Sequence, residues 1–450
     1  MNTECTGRQQ SPQAPRATPC RNVVIIGGGF AGIRVPQVLE RRLSPECTVT
    51  LLDQENFITF SPLLPEVVGA SLLPGHVVAP HRQMIRRGHV RRVRVVSIDV
   101  LRQLIHYEGE GTGVIRYDQL VMACGARASL QAIEGIAEHG MALKTLGDAL
   151  HLPSHIVRRL EEAELAPDTA SRRWLMTFIV VGGGFSGVEA SGELVDFLHA
   201  SLRYYRSIRR DEMRVILLHA TERLLPGLAA FLGTFTLRKM RRRVIEVRLK
   251  LWASRVTHCD VHLSTGEVVS GGTMICTVGT AANRLLDDIP TPKIRGRLGV
   301  LPDLSVPGVE GLWAAGECAA VPNAHDRAIC PQIAQFANAQ TRQLAHNLIA
   351  QLNGRSTRPF KFRPRGQPSS VGHNKAVAEI FGLRISGFIA WLLWRGVYLL
   401  GVPTLARKAR VFLEWNWGML FPPDIAHLSF HRTPRAEPSR LSRCMRPPMR

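Results

Sequence analysis

Two glycine clusters carry most of the chemistry this chain can do. Gly27, Gly29 and Gly32 form a GxGxxG, and Gly182, Gly184 and Gly187 form a second one about 155 residues later. Each position calls for glycine for its own reason. The first makes a tight turn, the second lets backbone approach a pyrophosphate, and the third lets a helix pack closely on a strand. A helix N-terminus then faces the phosphates.

The elements around the first cluster have the order that such a site needs. Asn22-Val-Val-Ile-Ile26 predicts a strand buried on both faces. A helical stretch follows to Arg42, with Pro36 expected to kink it. Val49 to Asp53 predicts a second strand that closes on an acid 21 residues past Gly32. A carboxylate there accepts hydrogen bonds from ribose hydroxyls. The second cluster repeats the plan. Phe178 to Val181 predicts its strand, and Val188, Leu194, Val195 and Leu198 share roughly one face of the helix that follows. The next strand, Val215 to Leu218, ends in His219 instead of an acid. Arg223 is placed to meet a 2′-phosphate and Glu222 to substitute for the acid, so NADPH and NADH both stay open. Two dinucleotide motifs imply two nucleotides, one fixed and one exchanging. Hydride transfer from a nicotinamide to a flavin is the chemistry that pairs them.

Length and composition fit that plan. At 450 residues the chain exceeds one core, and 45% hydrophobic with 21% charged residues is ordinary for a globular fold. The charge is not ordinary: 57 Lys and Arg against 36 Asp and Glu give +21. Such an excess favours nucleic acid or an anionic membrane surface, and no recognisable nucleic-acid module is present. Nine Cys, an odd number with no CxxC, read as reduced thiols, with no disulfide scaffold and no metal site. Residues 1–20, polar and Pro-rich, read as a disordered leader, and 429–450, with six Arg and one Glu, as a basic tail.

Beyond the glycines, several stretches resemble the type II NADH dehydrogenases, flavoproteins that pass electrons from NADH through FAD to a membrane quinone. The resemblance runs from about Arg21 to about His427. It is carried by Asp53 to Leu64, by Tyr117-Asp-Gln-Leu-Val-Met-Ala-Cys-Gly125, by Gly187-Val-Glu-Ala-Ser-Gly-Glu-Leu194, by Cys276 to Asn283 and by Leu312-Trp-Ala-Ala-Gly-Glu-Cys-Ala319. It implies that Gly27, Gly29, Gly32, Asp53, Gly125, Gly316 and Glu317 hold FAD. Gly182, Gly184, Gly187 and Gly279 would hold NADH or NADPH. Glu317 stands where the family has Asp, so its contact must shift by a methylene. Glu189 would lie near the nicotinamide and quinone and relay protons, against the plainer reading of a first-turn acid favoured by the helix dipole. Cys330 to Gln340 resembles the family's quinone segment: Ala334 and Gln335 match, while the second Gln falls at Ala339 with Gln340 adjacent.

The expected fold is α/β, with two Rossmann-like dinucleotide-binding domains, the second inserted in the first. The FAD domain is expected at 21–145 and 300–365, the NAD(P)H domain at 146–299, and a membrane-associated region at 366–428. Leu383 to Val402 is an apolar run interrupted by Arg384 and Arg395, long enough for a helix of about 30 Å. Four of the seven Trp, at 391, 394, 415 and 417, cluster here beside basic residues, the composition of a membrane interface. The resemblance implies peripheral, monotopic attachment at the cytoplasmic face, with quinone entering from the bilayer. A buried hairpin or homodimer contact is the alternative for this stretch.

Three other chemistries have residue requirements of their own. A disulfide reductase needs a CxxxxC soon after Asp53, and residues 54–70 hold no Cys. A sulfide:quinone oxidoreductase needs two reactive thiols at the flavin, for which Cys124, Cys318 and Cys330 are the available residues. A flavin-binding redox sensor is the non-enzymatic reading.

Overall fold

Val23, Val24, Ile25 and Ile26 leave no polar face, and they form the central strand Asn22–Ile26 of a five-stranded parallel sheet. Its neighbours are Thr48–Asp53 on one side and Gln119–Met122 on the other, with His89–Arg92 and Leu312–Ala314 at the edges. The computed structural model describes residues 22–426, apart from 132, 365, 373 and 423. The leader at 1–20 and the tail at 429–450 lie outside the described residues.

A second five-stranded parallel sheet repeats the first. Thr177–Val181 is central, flanked by Arg214–His219 and Thr273–Cys276, with Ile245–Leu249 and Met141–Ala142 at the edges. Each sheet carries a three-stranded antiparallel meander, Arg94–Asp99 to Thr112–Arg116 inserted before the strand Gln119–Met122 in one case and Ala253–Val256 to Val268–Ser270 inserted before the strand Thr273–Cys276 in the other. Past those strands the chain crosses twice between the sheets. Ala126–Ala128 and Thr280–Ala282 pair as an antiparallel ribbon at the crossing. The residues after the second crossing fold onto the first sheet: Leu286, Ile289 and Leu298 share a core with Val23 and Leu51.

Pro36 does not kink a long helix, because the helix is short. It spans Arg34–Leu39, so Pro36 sits in the first turn, where its missing N–H would have had no partner. The C-terminal run also differs from expectation. Leu383–Gly387 is the last strand of a three-stranded antiparallel sheet, and only Phe388–Gly401 is helical. Gly387, at φ +86°, makes the turn between them, a backbone shape an L side chain resists. No helix among the described residues is long and apolar enough to cross a membrane.

The helices Phe388–Gly401 and Leu405–Leu420 each bury one face and expose the other. Ala390, Trp391, Trp394, Val411 and Trp415 join the core that contains Leu64, Val67, Leu194 and Val195. Arg395 is half-buried between aromatic rings. Its guanidinium lies 3.8 Å from the ring centre of Trp391 and 5.0 Å from that of Trp415.

Candidate functional site

The first glycine loop is shaped by contacts no side chain would allow. Gly27 has φ +98°, and a Cβ on Gly32 would lie 1.6 Å from the Gly27 carbonyl oxygen. Gly29 faces open space. The Asp53 carboxylate accepts the Gly28 N–H with one oxygen and the Glu55 N–H at 2.8 Å with the other. A fully buried imidazole, His81, lies under the loop with Nε2 3.0 Å from the Gly28 carbonyl oxygen. Two clefts border this loop, and both are lined by Asp53. One, of about 520 Å³, is lined by Gly27, Cys124 and Arg284. The other, of about 650 Å³, is lined by Gly29, Phe30, Gly125, Lys144, Glu317 and Ala337. Two clefts on either side of a side-chain-free loop fit FAD, with the loop against the pyrophosphate and Asp53 at the ribose.

The second loop has the same geometry. Gly182 has φ +118°, a Cβ on Gly187 would lie 1.7 Å from the Gly182 carbonyl oxygen, and Gly184 is open. Where the first loop has Asp53, this one has His219, whose Nδ1 accepts the Gly183 N–H at 3.0 Å. Gly182, Gly184, His219, Trp252 and Gly279 line a cleft of about 390 Å³.

A third cleft, of about 500 Å³, lies where the two loops and the C-terminal helices meet. Gly184 and Phe185 reach it from the second loop, Lys144 and Glu317 from the flavin side, and Val397, Tyr398 and Gly401 from the helix Phe388–Gly401. Glu189 opens onto it from the helix Phe185–Ser201. It lies past that helix's first turn, so the plain first-turn reading does not apply. Only 5% of it is exposed, and Ser370 N–H donates to it at 3.0 Å. Burial pushes its pKa up to about 8, against the pull of Ser370, Trp394 and Ser369. Phe30, Phe60 and Tyr398 form a row of edge-to-face rings along the cleft, and the buried Trp394 packs edge-to-face on Tyr398 from the core.

Gln335 lines this cleft and donates to the Gly366 carbonyl oxygen at 3.2 Å. Helical phase decides the rest of its segment. Ala339 packs on the first core, and Gln340 turns inward to accept the Gly316 N–H at 2.8 Å. Asn338, three residues after Gln335, faces the cleft instead. Glu317 pairs with Lys144 at 3.0 Å.

Sequence reasoning missed Lys144, Asn338, Tyr398, Glu66 and Glu193. The i, i+3 spacing from Gln335 would have found Asn338. The capping box of Thr145 and Asp148, which starts the helix Leu146–Glu164, marks Lys144 as the residue just before a helix end. Nothing local marks the other three. Glu66 and Glu193 are both buried behind the cleft. Glu66 accepts the Trp415 indole N–H at 2.5 Å, and burial pushes its pKa up to about 7 while Trp415 and Arg395 oppose the rise. Glu193 accepts the Ser71 hydroxyl at 3.0 Å, and burial, with Glu66 and Asp196 nearby, holds its pKa well above the usual range.

Two glycine loops on two parallel sheets, meeting at one cleft, define a two-nucleotide redox fold. The pyridine nucleotide-disulphide oxidoreductase family model matches residues 21–345. The type II NADH:quinone oxidoreductase Ndh of Mycobacterium tuberculosis is 31% identical over 423 residues, covering 90% of this chain and 89% of that protein. The demethylphylloquinone reductase NdbB of a Synechocystis strain is 29% identical, covering 87% and 95%. NDH2 of Plasmodium falciparum, solved in complex with NADH, superposes with a TM-score of 0.83 at 18% identity, covering 90% of this chain and 99% of that one. The chain belongs to the pyridine nucleotide-disulphide oxidoreductase family and, within it, to the type II NADH:quinone oxidoreductases. It is an oxidoreductase.

Proposed function

We propose that this protein oxidises a reduced nicotinamide nucleotide and reduces a quinone at the cleft shared by Glu189, Lys144 and Tyr398. The observation that carries the reading is the convergence there of the nicotinamide loop, the flavin side and the C-terminal helix. FAD, when bound, supplies the two-electron chemistry between the nucleotide and the quinone. Gly27, Gly29, Gly32, Asp53, Gly125 and Gly316 hold it, with the Lys144–Glu317 pair beside it. Gly182, Gly184, Gly187 and Gly279 hold the nucleotide. Gln335 and Asn338 orient the quinone, and the row from Phe30 to Tyr398 gives its ring an apolar path.

Quinone reduction takes up two protons, and Glu189 is placed to deliver one. At neutral pH its raised pKa keeps a proton on the carboxyl. A proton donor buried beside the acceptor is the arrangement general acid catalysis requires. The cysteines do not favour the sulfide reading. Among the described residues no cysteine lines this cleft; Cys124 alone borders the flavin clefts, and Cys318 is buried with its Sγ 3.3 Å from two carbonyl oxygens.

Two further parts belong to the proposal. The flavin lobe comprises about 22–128 and 280–362, and the nicotinamide lobe about 129–279, a division drawn at the crossing ribbon. The outer face of the C-terminal helices lies on an anionic membrane surface, so that quinone enters without crossing water. Leu405 is 83% exposed and Leu420 78%, with Arg384 and Arg410 also exposed. Exposed apolar side chains mixed with cations are what an interfacial helix presents.

The test is anaerobic. The detergent-purified protein is given NADH or NADPH, then a soluble quinone. Bleaching of the flavin band by nucleotide and its return with quinone are expected. Flavin that neither nucleotide reduces, but sulfide does, would sink the reading.

A further inference from the structure

The end of the strand Arg214–His219 is the place where the two nucleotide loops differ most. In the first loop Asp53 takes the Gly28 N–H and keeps a negative charge with lone pairs to spare. In the second loop the same task falls to an imidazole, and its hydrogen bonds leave it nothing more to accept. His219 Nδ1 accepts the Gly183 N–H at 3.0 Å, so the ring proton is on Nε2. Nε2 donates to the Thr221 hydroxyl at 2.9 Å, and that hydroxyl donates to the Arg223 carbonyl oxygen at 3.1 Å. Burial lowers the His219 pKa, which keeps the ring neutral at neutral pH.

Two consequences follow. A ribose 2′-hydroxyl arriving here finds no carboxylate to accept its proton, and none lines the cleft. A 2′-phosphate arriving here meets no negative charge on the strand end. The rim supplies positive charge instead. Lys250 N–H donates to the Thr221 carbonyl oxygen at 3.2 Å and Leu251 N–H to that of His219 at 3.2 Å, so the Lys250 turn borders this corner. Arg223 stands two residues past Thr221. Among the described residues neither cation has an ion-pair partner. One acid, Glu222, shares the rim and is exposed.

We infer that the second loop accepts a nicotinamide nucleotide carrying a 2′-phosphate at least as well as one without, with His219 removing the usual discrimination and Arg223 or Lys250 pairing with the phosphate. The inference rests on the reading of this cleft as the nicotinamide site. In effect the protein uses NADPH.

Calorimetry on the flavin-loaded full chain gives dissociation constants for NADP⁺ and NAD⁺, and stopped-flow flavin reduction gives rates for NADPH and NADH. NADP⁺ should bind as tightly as NAD⁺ or tighter. The double variant R223Q/K250Q should weaken NADP⁺ about tenfold and leave NAD⁺ within twofold. H219E should shift the NAD⁺ to NADP⁺ preference at least tenfold toward NAD⁺. H219Q, a neutral acceptor for the Gly183 N–H, should keep the original preference and shows that H219E acts through charge. Retained flavin and an unchanged melting temperature establish that each variant is folded. NAD⁺ binding more than tenfold tighter than NADP⁺ in the unmodified protein would overturn the inference. So would an H219E preference within twofold of the original, or an E222Q variant that loses NAD⁺ alone. A protein whose flavin neither nucleotide reduces would instead bring down the functional reading itself.

Discussion

The Trp415 indole N–H donates to the buried Glu66 carboxyl across 349 residues of sequence, at 2.5 Å. That bond fixes the second C-terminal helix to the short helix Leu64–Val68, which packs beside the glutamates behind the cleft. Trp415 also carries the Arg395 guanidinium on its ring and lies against Trp394. One side of this helix pair is thus interior, however exposed the other side is.

W415F should therefore destabilise the whole protein and not just release a tail. It removes the one indole that satisfies Glu66, and a buried polar group left without its partner costs about 1–3 kcal/mol. The melting temperature should fall by several degrees. W417F is the control, because Trp417 is 63% exposed and its loss should leave the melting temperature within a degree or two. Equal melting temperatures for the two variants would show that Glu66 does not depend on Trp415.

E189Q separates the two halves of the reaction. Flavin reduction by nucleotide should be nearly unchanged, and reoxidation by quinone should slow about a hundredfold, the scale of general acid assistance. Stability changes too. The folded pKa of about 8 lies above the ordinary value of 4.5, so the folded state holds more protons between those limits. Stability from this group is full below about pH 4.5 and is lost as pH rises toward 8. Denaturant unfolding at pH 5 and pH 8 should show a smaller loss for E189Q. An unchanged reoxidation rate would remove Glu189 from proton delivery.

The parts of this protein that local rules govern were legible in its sequence. A GxGxxG after a β-branched run reports a turn, a backbone approach and a helix contact that all lie within a few residues, and Gly27, Gly32, Gly182 and Gly187 occupy those positions. Glu189 and Gln335 could be placed in one cleft because a family resemblance supplied the long-range information. What stayed hidden depends on partners distant in sequence. Arg395 reads as a flaw in an apolar run until Trp391 and Trp415 close around it. Glu66 and Glu193 look like surface acids because no sequence rule brings Trp415 or Ser71 to them. Leu383–Gly387 runs without a break into the apolar helix after it, and its pairing with Ala376–Ile380 makes it a strand.

The two loops can be disabled one at a time. G32A forces a methyl against the Gly27 carbonyl oxygen, and G187A does the same at Gly182. Both clashes are with backbone, which cannot swing aside as a side chain would. G32A should yield protein with little flavin. G187A should keep its flavin and its visible spectrum, yet lose reduction by either nucleotide by about a hundredfold. Flavin loss in G187A, with flavin kept in G32A, would reverse the assignment of the two sites.

Membrane attachment can be read out apart from catalysis, because the residues proposed for it point away from the cleft. Leu405, Leu413 and Leu420 are exposed on the helix Leu405–Leu420, and burying one such side chain in a membrane interface contributes up to about 1.5–3 kcal/mol. L405E/L413E removes two of these contributions and adds charge of the sign that anionic lipid repels. Sedimentation with vesicles rich in anionic lipid should show at least a hundredfold weaker binding for the double variant. Electrostatics should appear as a separate dependence: each basic residue near such a surface adds about 1 kcal/mol that salt screens. Raising salt should therefore weaken the unmodified protein on anionic vesicles and leave its weaker binding to neutral vesicles unchanged. Activity with a soluble quinone should survive in the variant, while activity with a quinone dissolved in the vesicles should fall. Vesicle binding equal to that of the unmodified protein would mean that this face serves another partner, with a second copy of the chain the first to test by sedimentation velocity.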